Sequence, residues 1–496
     1  MATTASASRL QSFRVSTANA SDHSIPAINP ITEDVAVIYS EGASPSTIKV
    51  AIYKRIADTI YGKPQWNRSQ IITLATPAGA LTPSGGASPS CAHPWICPIE
   101  DGFAAFWERK DTTIAVTTMT VGGMQIEMAK LKADPNGGGG YVKYASETAG
   151  KGFVLDNTLI AGVAGGTPRA AWNGVGNLVA VVFGHQLTDS LAVDDHQRTW
   201  DVRAAYLDFS ADGKPSLISG GNRMGGSVSD ATDGGFAAGA TQTWLVNAVD
   251  LDDDEDTPAF AGGGGLPHCV FDIRGDLAVA YEARNGKAGT GGIVLKLFKG
   301  PFRASGLDTA AIYTNTTDFG ATATWAAHRP ILAQRSAAQA GVPLAGTNYP
   351  PLLLIYGNVD PSGVTADTAL AKTVTFPLNG AAPTVAAVTI PVNQNYDATT
   401  DDQTLPTCVE SSFFSAFMVQ ERLVQTAGGD GYKFKIVHTD ATGEIFWSDK
   451  IARPQRPNLQ ACVVRSGLKI AALTYEGQNA SGSGSENIYM TMFQFA

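Results

Sequence analysis

The stretch PWICPIEDGFAAFW, Pro94–Trp107, decides how this chain is read. A proline opens a short apolar segment, a Glu-Asp-Gly turn interrupts it, and a second apolar run ends on an aromatic residue. Both runs have strand length, and the Gly-bearing turn between them is a hairpin signal. The same order recurs in PAINPITEDVAVIY (Pro26–Tyr39), PRAAWNGVGNLVAVVF (Pro168–Phe183), PHCVFDIRGDLAVAY (Pro267–Tyr281), PTCVESSFFSAF (Pro406–Phe417) and PNLQACVVRSGLKIAALTY (Pro457–Tyr475). One more copy starts with PILAQ at Pro330 and resumes after an insertion as PLLLIY (Pro351–Tyr356), making seven.

A third run alternating at period two follows each copy. These runs are TIKVAIY (Thr47–Tyr53), TIAVTTM (Thr113–Met119), DVRAAYL (Asp201–Leu207), IVLKLF (Ile293–Phe298), AKTVTF (Ala371–Phe376), YKFKIV (Tyr432–Val437) and NIYMTMF (Asn487–Phe493). β-Branched and aromatic residues dominate them, which suits a pleated surface. A fourth run usually follows a tight turn, as in PSLIS after Lys214 or IFW after Glu444. Four antiparallel strands repeated seven times predict an all-β fold, a seven-bladed β-propeller of four-stranded antiparallel blades forming one domain over 1–496. The blades open near residues 24, 93, 167, 266, 329, 405 and 456. The chain stops at Ala496 just after the third run of the last copy, and SFRVST (Ser12–Thr17) stands spare before the first proline. The expectation is that residues 12–17 complete blade seven and close the ring.

Composition agrees with this reading and excludes others. The 496 residues include 53 Gly and 26 Pro, the punctuation of turns and blade openings, and only 16% are charged. Coiled coils and disordered chains have a different balance. The formal charge of −10 argues against a nucleic-acid surface. No apolar stretch reaches membrane-spanning length, and the small, polar N-terminus lacks the pattern of an export signal. Synthesis in the cytoplasm, with assembly into a larger particle, is the expectation. Cys91, Cys97, Cys269, Cys408 and Cys462 lack CxxC spacing, so buried thiols are expected rather than a disulfide framework or zinc site.

The strand order resembles that of sialidase-type and related non-WD propellers, without the Asp-box hairpins of sialidases. The low charge and the Ala/Thr/Gly-rich strands are also similar to virion propellers of tailed bacteriophages. That second resemblance implies a nozzle, hub, collar or fibre-attachment role.

Candidate chemistry gathers on the face where blades open. His23, His93, His268 and His328 lie close to opening prolines, and His185 and His196 follow a second strand. Such imidazoles read either as a transition-metal set (His93, His185, His268, His328) or as unconnected polar loop residues. Glu41, Glu108, Glu282, Glu421 and Glu476 recur where second strands end, reading as a carboxylate ring or as solvent-boundary caps. Arg169, Arg274, Arg329 and Arg456 lie near first strands, without the common register of a carboxylate-gripping cluster. Asp208, Ser210 and Asp212 have the spacing of a calcium loop and equally of an ordinary hairpin. The acidic run Asp250–Asp256 lies in a long connection on the same face. No cofactor is indicated beyond calcium or a transition metal at these positions.

Three functions are therefore expected in order. The first is a non-catalytic structural or binding propeller in an assembly, with other proteins or further copies of itself as partners. The second is a carbohydrate-binding or glycoside-cleaving propeller. The third is a metal-dependent oxidase or oxygenase.

Overall fold

A computed structural model describes residues 7–17, 21–42, 46–77, 89–111, 115–116, 119–120, 123–134, 136, 139–146, 150–157, 164–187, 199–218, 244–245, 263–272, 275–284, 292–298, 311–314, 326–334, 352–359, 368–377, 382–388, 402–411, 415–423, 431–439, 444–449, 461–463, 470–478 and 486–495. Their regular structure is all β-strand.

The first strand, β1 (Ala7–Arg14), precedes a four-stranded sheet of β2 (Ser21–Ile28), β3 (Val35–Glu41), β4 (Thr47–Ile56) and β5 (Gln65–Ala75). The second sheet holds β6 (Pro89–Ile99) and β7 (Gly102–Asp111). A two-stranded ladder of β8 (Ala115–Val116) and β9 (Met119–Thr120) follows, and then β10 (Gly123–Ala133) pairs with β7. The outer edge of β10 is shared by β11 (Tyr141–Tyr144) and β12 (Phe153–Asn157). The third sheet has β13 (Ala164–Trp172), β14 (Leu178–Leu187) and β15 (Thr199–Asp208), with β16 (Ser216–Leu217) and β17 (Trp244–Leu245) sharing its outer edge. The fourth contains β18 (Gly263–Phe271), β19 (Leu277–Arg284), β20 (Ile293–Phe298) and β21 (Ala311–Thr314). The fifth contains β22 (Ala326–Gln334), β23 (Leu352–Val359), β24 (Thr368–Thr375) and β25 (Thr384–Val388).

The remaining strands form an eight-stranded sheet of two halves. One half is β26 (Asp402–Ser411), β27 (Ser415–Leu423), β28 (Gly431–Thr439) and β29 (Glu444–Asp449). The other is β30 (Ala461–Val463), β31 (Ile470–Gln478) and β32 (Glu486–Phe495), with β1 antiparallel to β32 from Ala7↔Phe495 to Arg14↔Tyr489. A short parallel pairing of β26 with β30 joins the halves. Successive first strands lie against one another in the order β2, β6, β13, β18, β22, β26, β30, and β30 also touches β2. Four-stranded antiparallel sheets stacked in this way are a β-propeller architecture.

Both faces of the middle strands are buried, so they read as continuous apolar runs rather than half-polar ones. Val35, Val37 and Tyr39 pack with Ile470, Ile488 and Met490 of the last sheet. The alternate residues Ala36 and Ile38 pack toward the second sheet. In β14, Val179, Val181 and Phe183 turn toward the second sheet, while Ala180 and Val182 join the fourth. Each buried Phe, such as Phe103, Phe106 or Phe183, contributes roughly 1.5–3 kcal/mol.

The repeated proline and aromatic have one structural cause. Among the described residues, six ladders between first and second strands slip at the same place, two residues opposing one. The pairs are His23–Ser24 against Tyr39, His93–Pro94 against Trp107 and Thr167–Pro168 against Phe183. Leu266–Pro267 stands against Tyr281, Arg329–Pro330 against Tyr356 and Leu405–Pro406 against Val419. Proline has no N–H for a ladder, so an inner strand tolerates it at a bulge. The structure corrects two copies. Ser24 takes the proline's place in the first, where Pro26 pairs with Val37. In the sixth, Val419 opposes the bulge, and Phe417 pairs with Cys408.

Two strand expectations also change. The third strand of the second sheet is β10, not TIAVTTM; its buried Glu127 and Lys130 interrupt the apolar alternation by which a strand is recognised. The N-terminal strand starts earlier than SFRVST, at Ala7, because β32 continues to Phe495 and offers it a longer edge. The insertion at 336–350 lies outside the described residues.

Candidate functional site at the bulge face

The bulges all lie where first strands begin and second strands end, so they share one end of the sheets. They re-aim their residues away from the ladder. His23 and His93 hold equivalent positions and both have left-handed backbones, with φ of 52° and 44°. A non-glycine residue in that region costs of order 1–3 kcal/mol, which the surrounding fold must offset. Their rings meet edge to face at 4.7 Å between centroids.

His93 Nδ1 lies 2.7 Å from Glu108 Oε2, with the His93 side chain 37% exposed and Glu108 2% exposed. An ionised carboxylate only accepts hydrogen bonds, so Nδ1 carries the proton and Nε2 of the neutral ring offers a lone pair. This arrangement can accept a hydrogen bond from a hydroxyl.

The residues just past the bulges, Ile25, Trp95, Arg169, His268, Ile331 and Thr407, form a second register-equivalent layer. Three of them meet. The Arg169 guanidinium lies 4.5 Å from the Trp95 ring centre, and its Nη1 donates to the Pro168 carbonyl at 2.9 Å. Trp95 also meets His268 edge to face at 5.8 Å, reaching from the second sheet past the third to the fourth. The Trp95 indole N–H donates to the Ala170 carbonyl at 2.8 Å, and the Leu332 N–H donates to His268 Nδ1 at 3.2 Å. Burial, with the Arg169 charge, pushes the His268 imidazole down to about 3, keeping it neutral at ordinary pH.

The carboxylates expected to form one ring divide by register. Glu108 opposite Ala92 and Glu282 opposite Gly265 follow the bulge-facing aromatic directly, and both are buried. Glu41 and Glu421 lie one step farther along their strands, opposite Ser21 and Gln403. Glu41 pairs with Lys49 and accepts hydrogen bonds from the Thr17 N–H at 3.2 Å and hydroxyl at 3.1 Å. Thus it ties β1's exit to the first sheet.

Of the expected histidines, the structure brings His23 to His93 and separates His268, which is engaged with Leu332 and Trp95. The backbones of His185 and His328 stand on β14 and β22, opposite Gly165 and Gly357. The side chains of His185, His328, Arg329, Glu421 and Glu476 lie outside the described residues, as do His196, Arg274, Arg456 and Asp250–Asp256 altogether. Among the described residues, no group of three or more His, Cys, Asp or Glu side chains is placed to hold a metal.

The calcium-like loop is supplied with cations by the protein. Both Asp212 oxygens lie 2.7 Å from Lys132 Nζ. The buried Lys130 ammonium donates to the Phe209 carbonyl at 2.6 Å and pairs with Asp101 at 2.8 Å. Asp208 Oδ1 accepts from the N–H and hydroxyl of Ser210 at 2.8 and 2.5 Å, the hairpin geometry.

Sequence reasoning missed Trp95 and the buried Arg109–Glu127 pair. Trp95's signal was its place directly after the opening proline. Arg109 and Glu127 carried none, since charged residues in a strand ordinarily face water.

No protein-family profile matches the chain, and no curated protein sequence matches it. Similar solved structures include a Trypanosoma rangeli sialidase in complex with sialic acid, 8% identical with a TM-score of 0.39. It matches 88% of this chain, which spans 58% of that structure's length. A Hadza microbial sialidase is 8% identical with a TM-score of 0.36, covering 92% of this chain and 74% of its own. A glycosyl hydrolase from Bacteroides ovatus is 11% identical with a TM-score of 0.29, covering 65% of this chain and 82% of its own. No residue role carries over at these values. Among the described residues, no helix is long and apolar enough to cross a membrane.

Proposed function

We propose that the chain is a closed seven-bladed propeller that binds a polar, hydroxyl-rich ligand, a glycan, at its bulge face. The observation that carries this reading is the paired layer at the bulges. The frame repeats while the first bulge residue changes from His23 and His93 to Thr167, Leu266, Arg329 and Leu405. Variable side chains on a repeated, rigid frame are how a propeller or barrel builds a recognition surface. The strained His23 and His93, with Glu108 behind, supply acceptors and donors that suit hydroxyl groups rather than an apolar ligand. Closure of the ring is supported by β30 against β2, the pairing of β1 with β32, and the Thr474 hydroxyl donating to the Ser24 carbonyl at 3.3 Å.

A glycan array with the full-length protein and His93→Gln tests the reading. Binding to a defined glycan group that falls at least tenfold in the variant is expected. A silent array, or one indifferent to His93, would sink it.

A second reading, a structural component of a virion or similar assembly, is favoured by the opposite face. There the turns expose Ile31 (58%), Ile60 (92%), Tyr61 (83%) and Val175 (63%), apolar residues of the kind that mark protein contacts when contiguous. Light scattering and electron microscopy of the purified chain, compared with Ile60→Asp/Tyr61→Asp, test it. Rings or higher assemblies that the double variant abolishes support the reading; a concentration-independent monomer alone and with virion proteins opposes it.

A further inference from the structure

We infer that the outer edge of β25 (Thr384–Val388) is an interface through which two copies of the chain pair, antiparallel and about a two-fold axis. This goes beyond both readings above and involves neither the bulge face nor the turn that carries Ile60 and Tyr61.

β25 ends the order β22-β23-β24-β25, and among the described residues no strand pairs with its far side. An edge strand turns half of its N–H and C=O groups outward and so offers a template to another strand. Folds ordinarily blunt such edges with charges, bulges or short length. Among the described residues, the other outer strands are blunted in these ways. β5 and β21 meet their neighbours through register shifts, and β16 and β17 are two residues long. Charged residues stand in β1, β11, β12 and β29. β25 has none of these guards. Its sequence is TVAAV, and its ladder with β24 runs unbroken from Ala371↔Val388 to Thr375↔Thr384. Nor does it bury a face. Side chains alternate between the two faces of a strand, yet Thr384, Val385, Ala386 and Ala387 are all exposed, Val385 by 39%. The neighbouring strand is anchored, because Val374 of β24 lies in the core.

Charge selects the partner. The chain carries −10 overall, so copies repel, but residues 373–396 contain no Asp, Glu, Lys or Arg. Two molecules can meet here edge to edge without like charges facing. The segment also matches itself. Turned antiparallel about Ala386, it sets Thr384 against Val388, Val385 against Ala387, and alanine against alanine at the axis. A two-fold contact requires that self-complementarity. The product is one continuous sheet running from β22 of one molecule to β22 of its partner.

Sedimentation equilibrium of the full-length protein tests the interface. A monomer–dimer equilibrium is expected, weakened tenfold or more by Val385→Lys and unchanged by Ile60→Asp/Tyr61→Asp. Facing Cα atoms of an antiparallel pair lie about 4.5–5.5 Å apart, within the roughly 4.4–6.8 Å that a disulfide spans. Ala386→Cys should therefore link two copies on oxidation, giving a dimer on a non-reducing gel, whereas Thr384→Cys should not. Cys91, Cys97 and Cys269 are buried, and the parent protein run alongside controls for the native thiols. A monomer at every concentration, a dimer indifferent to Val385→Lys, or linkage through Thr384→Cys but not Ala386→Cys would overturn the interface.

Discussion

The indole N–H of Trp107 donates to the Glu127 carboxylate at 2.9 Å, and both residues are fully buried. Arg109 completes the arrangement. It pairs with Glu127 through Nε at 2.5 Å and donates to the Thr76 and Gly150 carbonyls at 2.9 and 2.6 Å. Gly152 N–H supplies another hydrogen bond to Glu127 at 3.0 Å. One ion pair thus holds two chain segments, near Thr76 and Gly150, against the second sheet.

Glu127→Gln would leave the Arg109 charge buried without its counter-ion. We expect a loss of about 3–5 kcal/mol, read from urea unfolding monitored by tryptophan fluorescence. Replacing both residues together with Met should recover part of that loss. A Glu127→Gln protein as stable as the parent would mean that water reaches the pair.

Gly102 begins β7 where the backbone of β10 passes close by. A Cβ there would lie 1.9 Å from the Leu131 carbonyl oxygen, an impossible approach without moving the strand. Gly102→Ala should destabilise by roughly 1–3 kcal/mol and lower the melting temperature measured by circular dichroism. The change should also loosen Asn29, whose side-chain amide donates to the Gly102 carbonyl at 2.9 Å.

Gln11 and Trp66 bond reciprocally, Trp66 N–H to Gln11 Oε1 at 2.8 Å and Gln11 Nε2 to the Trp66 carbonyl at 3.4 Å. They tether β1 to the first sheet while β1's ladder belongs to the last. Gln11→Ala should cost about 1–2 kcal/mol and selectively speed amide exchange in β1. Uniform acceleration across all sheets would show that the tether is not local.

His268 makes stability fall in mild acid. Its folded-state value is depressed to about 3, mainly by burial, whereas an unfolded histidine titrates near 6.5. Between those values only the unfolded chain takes the proton, so stability is complete above about pH 6.5 and declines as pH falls toward 3, by at most about 1.4 kcal/mol per pH unit. His268→Gln should flatten this slope in urea titrations across that window. An unchanged slope would assign the acid sensitivity to other groups.

The repeat was legible because one geometric event, the bulge, favours the same two residue types in most copies. Proline fits where a ladder N–H is absent, and an aromatic faces the gap, as at Pro94 and Trp107. Where the event is met differently, by Ser24 or Val419, the motif blurred and the alignment shifted. The site was less legible. Histidine and glutamate counts could not tell Glu108, beside His93, from Glu41, beside Lys49, because a single step along a strand changes the face. Nor could spacing reveal that Lys130 and Lys132 already serve the Asp212 loop from the neighbouring sheet.

The pairing of β1 with β32 sets a timetable. Ala7–Arg14 leaves the ribosome long before its ladder partner Glu486–Phe495 is made. Contacts this distant in sequence are slow to form. Until they do, Leu10 and Phe13, which finish the core between the last and first sheets, have nowhere to bury. A nascent chain therefore carries an unsealed seam until β32 has emerged, and that seam is where a chaperone, or a misplaced strand from a neighbouring copy, would take hold.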